Sequence, residues 1–161
     1  MPGWYGMASV KWLRRLTVLD SGYSGYFQGH KYVIEDEIGQ TVPLTTIGVK
    51  SLIGRPTEGA TVSMGQVCVT GMAWSGQERI ARVDFSSDDG VTWEPADIVG
   101  PSEQYAWQKW HYSWNPAAPG SYSLMSRAID VLGNVQPMKS RWNRLGYMVN
   151  GVKPVSVTVA E

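Results

Sequence analysis

From residue 57 onward the chain is cut into short β-prone runs by turn residues, and this punctuation limits the fold more than any other feature. The last run is the clearest: Val155, Val157 and Val159 alternate with Ser156, Thr158 and Ala160. A two-residue period puts the valines on one strand face and the small polar partners on the other, as a sheet with one buried face requires. Tyr122, Leu124, Ser126 and Ala128 alternate in the same way with Ser123, Met125 and Arg127, and residues 79–86 bring Ile80, Ala81, Val83 and Phe85. Residues 62–70 form one further β-rich run. Asp88-Asp89-Gly90 predicts a tight hairpin turn, because glycine accepts positive φ cheaply, and Val91-Thr92-Trp93 reads as the strand resuming. Residues 105–114 are polar and aromatic, with turns at Pro119-Gly120 and across residues 130–134. About seven strands thus follow Pro56, the pattern of a β-sandwich. No repeat, heptad or low-complexity tract interrupts it.

The part before Pro56 is less regular. Val10-Lys11-Trp12 and Leu16-Thr17-Val18 alternate apolar and polar residues, which favours strands. A basic amphipathic helix over residues 9–19 is the competing reading, since Trp12, Leu13 and Leu16 share a helical face. Residues 22–29, rich in Gly, Ser and Tyr, read as a loop. Pro2-Gly3-Trp4-Tyr5-Gly6 reads as the middle of a loop in a larger protein, so truncation is the expectation.

Composition excludes several classes. At 161 residues the chain has room for one to one and a half domains and needs no disulfide staples. With 43% hydrophobic and 17% charged residues it should fold rather than stay disordered. Fourteen Lys and Arg balance fourteen Asp and Glu, which argues against nucleic acid as the main partner. No apolar stretch approaches the roughly 20 residues of a membrane-spanning helix, and residues 1–19 lack a secretory signal because Lys11, Arg14 and Arg15 break the apolar run. Cys68 is the only cysteine, and only His30 and His111 add further nitrogen ligands, so a cysteine-built metal site is excluded.

Four features could carry chemistry, each with a structural reading beside it. Lys11, Arg14 and Arg15 near the start and Lys139, Arg141, Arg144 and Lys153 near the end form two basic stretches that could converge on one anion, or could merely solvate strand faces. Ser86-x-Asp88-x-Gly90-x-Thr92-Trp93 resembles the Asp-box hairpin, in which the Asp accepts backbone N–H groups across the turn and the Trp packs beneath; a structural role is favoured over a catalytic one. In the row Tyr105, Trp107, Trp110, Tyr112 and Trp114, the last three share a strand face. Exposed, they would stack carbohydrate as a stand-alone binding module; buried, they are core or interface. Cys68, opposite in direction to Val67 and Val69, is expected to be a buried inert thiol. No nucleophile–base pair or Walker or dinucleotide pattern is present, so no catalytic residue is assigned.

Taken in order, PGWYGMASVKWLRRL, YFQ, VKSLI-x-x-P-x-x-G, GMAWSG, RVDFSSDDGVTW, AWQKW, RAIDVLGNVQP and WNRLGYMVN resemble the C-terminal part of the sulfite oxidase family of molybdopterin oxidoreductases. The resemblance covers nearly the whole chain. It implies a mainly β fold: an immunoglobulin-like sandwich at residues 56–161 that forms a homodimer, preceded at 1–55 by an irregular, strand-containing segment made of the end of the molybdopterin-binding domain and a crossover. It implies that Ser9, Val10 and Lys11 contact the cofactor, as suits a stretch offering N–H groups, a hydroxyl and an ammonium to a pterin and its phosphate. In Trp142-Asn143-Arg144-Leu145-Gly146, Leu145 stands where eukaryotic relatives carry an anion-binding Arg, and Arg144, one place earlier, is the nearest candidate for the substrate anion. The family's molybdenum-ligating cysteine lies upstream of anything in this chain. The resemblance therefore implies molybdenum chemistry in the full-length enzyme and no stable cofactor binding or activity in this chain alone, or else a non-catalytic paralogue. It further implies a cytochrome c or haem subunit as electron acceptor, and a periplasmic location as in bacterial members.

Overall fold

The computed structural model describes residues 1–36 and 38–161. Strands β1 (Val33–Glu35) and β2 (Thr41–Pro43) form a small antiparallel hairpin. The others are β3 (Lys50–Arg55), β4 (Ala60–Ser63), β5 (Val67–Trp74), β6 (Ile80–Ser86), β7 (Glu94–Val99), β8 (Gln108–Trp114), β9 (Gly120–Asp130) and β10 (Val155–Ala160). They are hydrogen-bonded in the order β3-β5-β8-β7-β6-β9-β10-β4. Every pairing in that series is antiparallel except β10 with β4, which run parallel. The seven strands from β4 to β10 follow Pro56, as the turn punctuation predicts.

The series folds over between β7 and β6, so that the half β3-β5-β8-β7 faces the half β6-β9-β10-β4. Side chains from the two halves meet in the middle: Phe85 of β6 stacks on Tyr112 of β8 with ring centroids 4.5 Å apart, and Trp114 of β8 meets Tyr122 of β9 edge-on at 4.9 Å. The alternating residues fill this immunoglobulin-like core, with Val69, Ala73, Val83, Leu124 and Ala128 fully covered and Val155, Val157 and Val159 buried beside them. Gly71 makes room for the largest core side chain, since a Cβ there would lie 2.3 Å from a ring carbon of Trp110.

The far side is closed without backbone pairing. Gln136, fully buried, accepts from Ser51 N–H of β3 (2.7 Å) and Ala128 N–H of β9 (3.2 Å) through one amide oxygen, and donates to Ser51 C=O at 3.3 Å. Ser51 Oγ and Ser126 Oγ add a contact of 2.9 Å between the same two strands.

Several sequence expectations are corrected. Residues 9–24 are neither strand nor helix. Among the described residues the alternation there finds no neighbouring strand and no covering surface, and Trp12 (92% exposed) and Val18 (99%) stand in solvent. The loop expected at 22–29 ends in a single π-helical turn, Phe27–Lys31. The run at 62–70 divides into β4 and β5 because Gly65, at φ 110°, turns the chain between them. Val91-Thr92-Trp93 stays in the loop, and β7 begins at Glu94. β1, β2 and β3 have no counterpart in the sequence reading. Among the described residues no helix is long and apolar enough to cross a membrane.

Candidate functional site

The first eight residues are pinned to the chain just before β3. Trp4 bridges Thr46, Tyr5 N–H donates to Thr45 C=O at 3.0 Å, Ile47 N–H donates to Gly3 C=O at 2.8 Å, and a short 3-10 turn, Gly6–Ala8, follows. This anchorage brings the opening of the chain to the Trp142-Asn143-Arg144-Leu145-Gly146 loop. Tyr5, Lys50, Trp74 and residues 146–150 line a shared cleft of about 260 Å³. Burial raises the Tyr5 hydroxyl pKa above its ordinary value, partly offset by a backbone hydrogen bond at Gly48. Lys50 Nζ fastens the floor by donating to Val149 C=O at 2.6 Å.

The loop owes its shape to Asn143. Its side-chain oxygen accepts from Tyr147 N–H at 2.9 Å while its amide donates to Tyr147 C=O at 2.6 Å, a clamp that leaves Arg144 exposed on the turn. Ser9, Val10 and Lys11 follow the pinned segment and are exposed. Among the described residues Lys11 makes no ion pair. A second cleft, of about 400 Å³, opens between the β1–β2 hairpin and residues 137–150. There Lys139 and Arg141 stand with Glu35 and Asp36, and Arg141 donates to Asp36 C=O. The late basic stretch therefore shares a cleft lining with two acids of this chain, with Arg141 bonded to the Asp36 backbone. Sequence reasoning missed both clefts, because their lining comes from segments about 100 residues apart joined by backbone contacts.

The Asp-box geometry is realised. Asp88 accepts from Ser86 Oγ (2.7 Å), Thr92 N–H (2.9 Å) and Thr92 Oγ1 (2.6 Å), and these donors hold its carboxyl down at about 2, Thr92 acting most strongly. Asp89 and Gly90 both take positive φ (59° and 84°), and Trp93 Nε1 donates back to Gly90 C=O at 2.9 Å. The Trp93 ring lies under the Arg127 guanidinium, 4.3 Å from its centroid, and Arg127 with Arg82 satisfies the buried Asp84. The box is a structural latch over the outer face of β6 and β9.

The last three members of the aromatic row, Trp110, Tyr112 and Trp114, belong to the core, while Tyr105 and Trp107 are exposed. Trp110 and Trp114 are 1% and 4% exposed, and Tyr112 stacks on Phe85 while donating to Glu94, a bond that pushes the phenol up to about 12. Rings held inside the sandwich cannot stack sugar, which removes the carbohydrate-module reading. Cys68 corrects the expectation of a buried thiol: it is exposed, because the outer face of β5 is uncovered. Among the described residues no group of three His, Cys, Asp or Glu side chains could hold a metal ion.

The model of the Mo-co oxidoreductase dimerisation domain matches residues 42–160. The chain belongs to this family. It is 34% identical to mitochondrial sulfite oxidase of Macaca fascicularis and 30% identical to that of Rattus norvegicus, in each case over 99% of this chain and 32% of the relative. The solved structure of the sulfane dehydrogenase SoxCD from Paracoccus pantotrophus is similar to 96% of this chain at a TM-score of 0.85 and 31% identity, covering 42% of that chain. The chain thus spans about a third of the length of the curated sulfite oxidases it matches, and the resemblance to the sulfite oxidase family is borne out. Members of the Mo-co dimerisation family are parts of molybdenum-cofactor oxidoreductases. The residues here fit such a group only at its periphery: an ammonium, a hydroxyl and backbone donors at 9–11 suit a phosphate or pterin edge, while the sole thiol sits on the sandwich's outer face.

Proposed function

We propose that the chain is the C-terminal portion of a sulfite oxidase-type molybdenum oxidoreductase, one that oxidises sulfite or a related sulfur compound when complete. Residues 1–55 would close the cofactor domain and cross into the sandwich through β3; residues 56–161 would pair two copies. The observation that carries this reading is the likeness to the SoxCD structure over 96% of the chain. The cofactor, when bound, supplies oxygen-atom transfer at molybdenum.

This chain's own part is to bind and orient. Ser9, Val10 and Lys11 offer a hydroxyl, backbone N–H groups and a cation to the phosphate end, and Arg144 on its Asn143-clamped turn offers a guanidinium to the substrate anion. In the complete enzyme a haem or cytochrome subunit would be the electron acceptor, and the reading carries with it a periplasmic location. In the complete enzyme, Lys11→Ala removes one charge-assisted hydrogen bond, about 1.5–3 kcal/mol. Cofactor retention should therefore fall roughly 10- to 100-fold, read as molybdenum per protein after dialysis. Unchanged molybdenum content would take Lys11 out of the site.

A further inference from the structure

An irregularity in β3 puts a charge where plain alternation would not. Ile53 packs against the core and pairs with Gly71, but the next partnered residue is Arg55, opposite Thr70. Gly54 is thus the extra residue of a β-bulge. In an unbroken register Arg55 would oppose Val69, which is fully covered, and its side chain would turn toward the interior. The bulge turns it instead onto the outer face of β3-β5-β8-β7, the kind of re-aiming that bulges provide beside binding sites.

The register gathers complementary groups around that guanidinium. Thr70 pairs with His111 and His111 with Asp97, while Met72 pairs with Lys109 and Lys109 with Val99. A hollow of about 450 Å³ lies among them, lined by Arg55, Thr70, Met72, Val99, Lys109 and His111, with only backbone from Gly54 and Gly71. Neighbouring strands lie about 4.8 Å apart, so the Arg55 and His111 backbones stand roughly 10 Å apart across Thr70, with Lys109 about 7 Å further along β8.

The cations here are uncommitted. Among the described residues neither Arg55 nor Lys109 makes an ion pair. His111 turns Nδ1 toward Asp97 at 3.7 Å, beyond hydrogen-bond reach, and that nitrogen is buried without a partner. The imidazole side chain is nevertheless 42% exposed, which leaves the edge with Nε2 open. Asp97, 81% exposed, stays at the rim. Two permanent positive charges, an imidazole and a hydroxyl therefore share the hollow with the apolar side chains of Met72 and Val99. A bare oxyanion would use the polar part alone, whereas an oxyanion carried on an apolar body would use both. The volume suits a molecule of that kind.

We infer that this hollow is a binding site for a small organic oxyanion, a sulfonate, sulfate ester, carboxylate or phosphate group on an apolar body. Arg55 and Lys109 hold the head, and Met72 and Val99 take the body. The inference uses neither Lys11 nor Arg144 and stands independently of the cofactor reading.

Isothermal titration calorimetry of the full chain with naphthalene-2-sulfonate tests it, with sodium sulfate as the bare oxyanion and circular dichroism as a check on folding. One sulfonate should bind per chain, and sulfate should bind roughly 10-fold more weakly because it leaves the apolar border unused. Arg55→Gln and Lys109→Gln should each weaken the sulfonate roughly 10-fold. Met72→Gln should weaken the sulfonate and leave sulfate unchanged, and Asp97→Asn, by removing a repelling carboxylate, should tighten both. No binding by the folded wild type, or undiminished binding by folded Arg55→Gln and Lys109→Gln chains, overturns the site. Sulfate that binds as tightly as the sulfonate overturns the apolar body. Affinity that falls as chain concentration rises would assign the hollow to contact between copies and likewise overturn the proposal.

Discussion

Asp88 shows how a single exposed residue can carry a pH dependence. No burial is needed: the Thr92 hydroxyl and amide and the Ser86 hydroxyl donate to its carboxylate and lower its pKa from 3.8 to about 2. A carboxyl whose folded pKa lies below its unfolded one binds fewer protons folded than unfolded between those two values. Its contribution is therefore complete above about pH 4 and is lost as pH falls towards 2. Asp88→Asn should show a shallower fall of the urea midpoint between roughly pH 4 and 2 than the wild type. Equal slopes in the two proteins would assign the acid limb to other carboxylates. The Asp-box was legible because its partners lie within six residues. Cys68 was misread because alternation says only that it opposes Val69, and which face of a strand is covered depends on what the rest of the chain lays over it.

At the scale of elements, legibility followed alternation backed by a neighbour. β10, β9 and β6 stand where the period of two placed them, since each lies inside the sheet with a partner on both sides. Residues 10–18 alternate as well but have no strand to pair with, and their backbone stays irregular. β3 was invisible because only Ser51 and Ile53 turn inward, and its inward polar residue is Ser51, which makes sense only once Gln136 arrives from 85 positions away. That glutamine substitutes for a ladder between β3 and β9. Gln136→Ala would leave Ser51 N–H buried without a partner and deprive Ala128 N–H of a side-chain acceptor, each such loss costing about 1–3 kcal/mol. A destabilisation of about 2–4 kcal/mol in urea titration is expected. A loss under 1 kcal/mol would mean that water or Ser126 takes over the closure.

Across the whole molecule, apolar exposure is unevenly distributed. Val10, Trp12, Leu13, Leu16, Val18 and Leu19 are all more than half exposed within ten residues, whereas the inward valines and leucines of the sandwich strands, such as Val69, Val83, Leu124 and Val157, are buried. A contiguous apolar stretch of this kind marks a surface meant for cover. Among the described residues, the segment's own backbone makes none of the loop hydrogen bonds that pin residues 3–5 and 45–47. On the proposed reading, in which Ser9, Val10 and Lys11 contact the cofactor, the cofactor domain of the complete enzyme would supply that cover. Trypsin should therefore cut the isolated chain first at Lys11, Arg14 and Arg15, leaving the sandwich intact, since exposed segments without backbone bonds open at almost no free-energy cost. In the complete enzyme the same three bonds should resist cleavage at least 10-fold longer. Equal cleavage rates in the two would show that the stretch remains uncovered there, and would detach residues 9–11 from the cofactor pocket together with it.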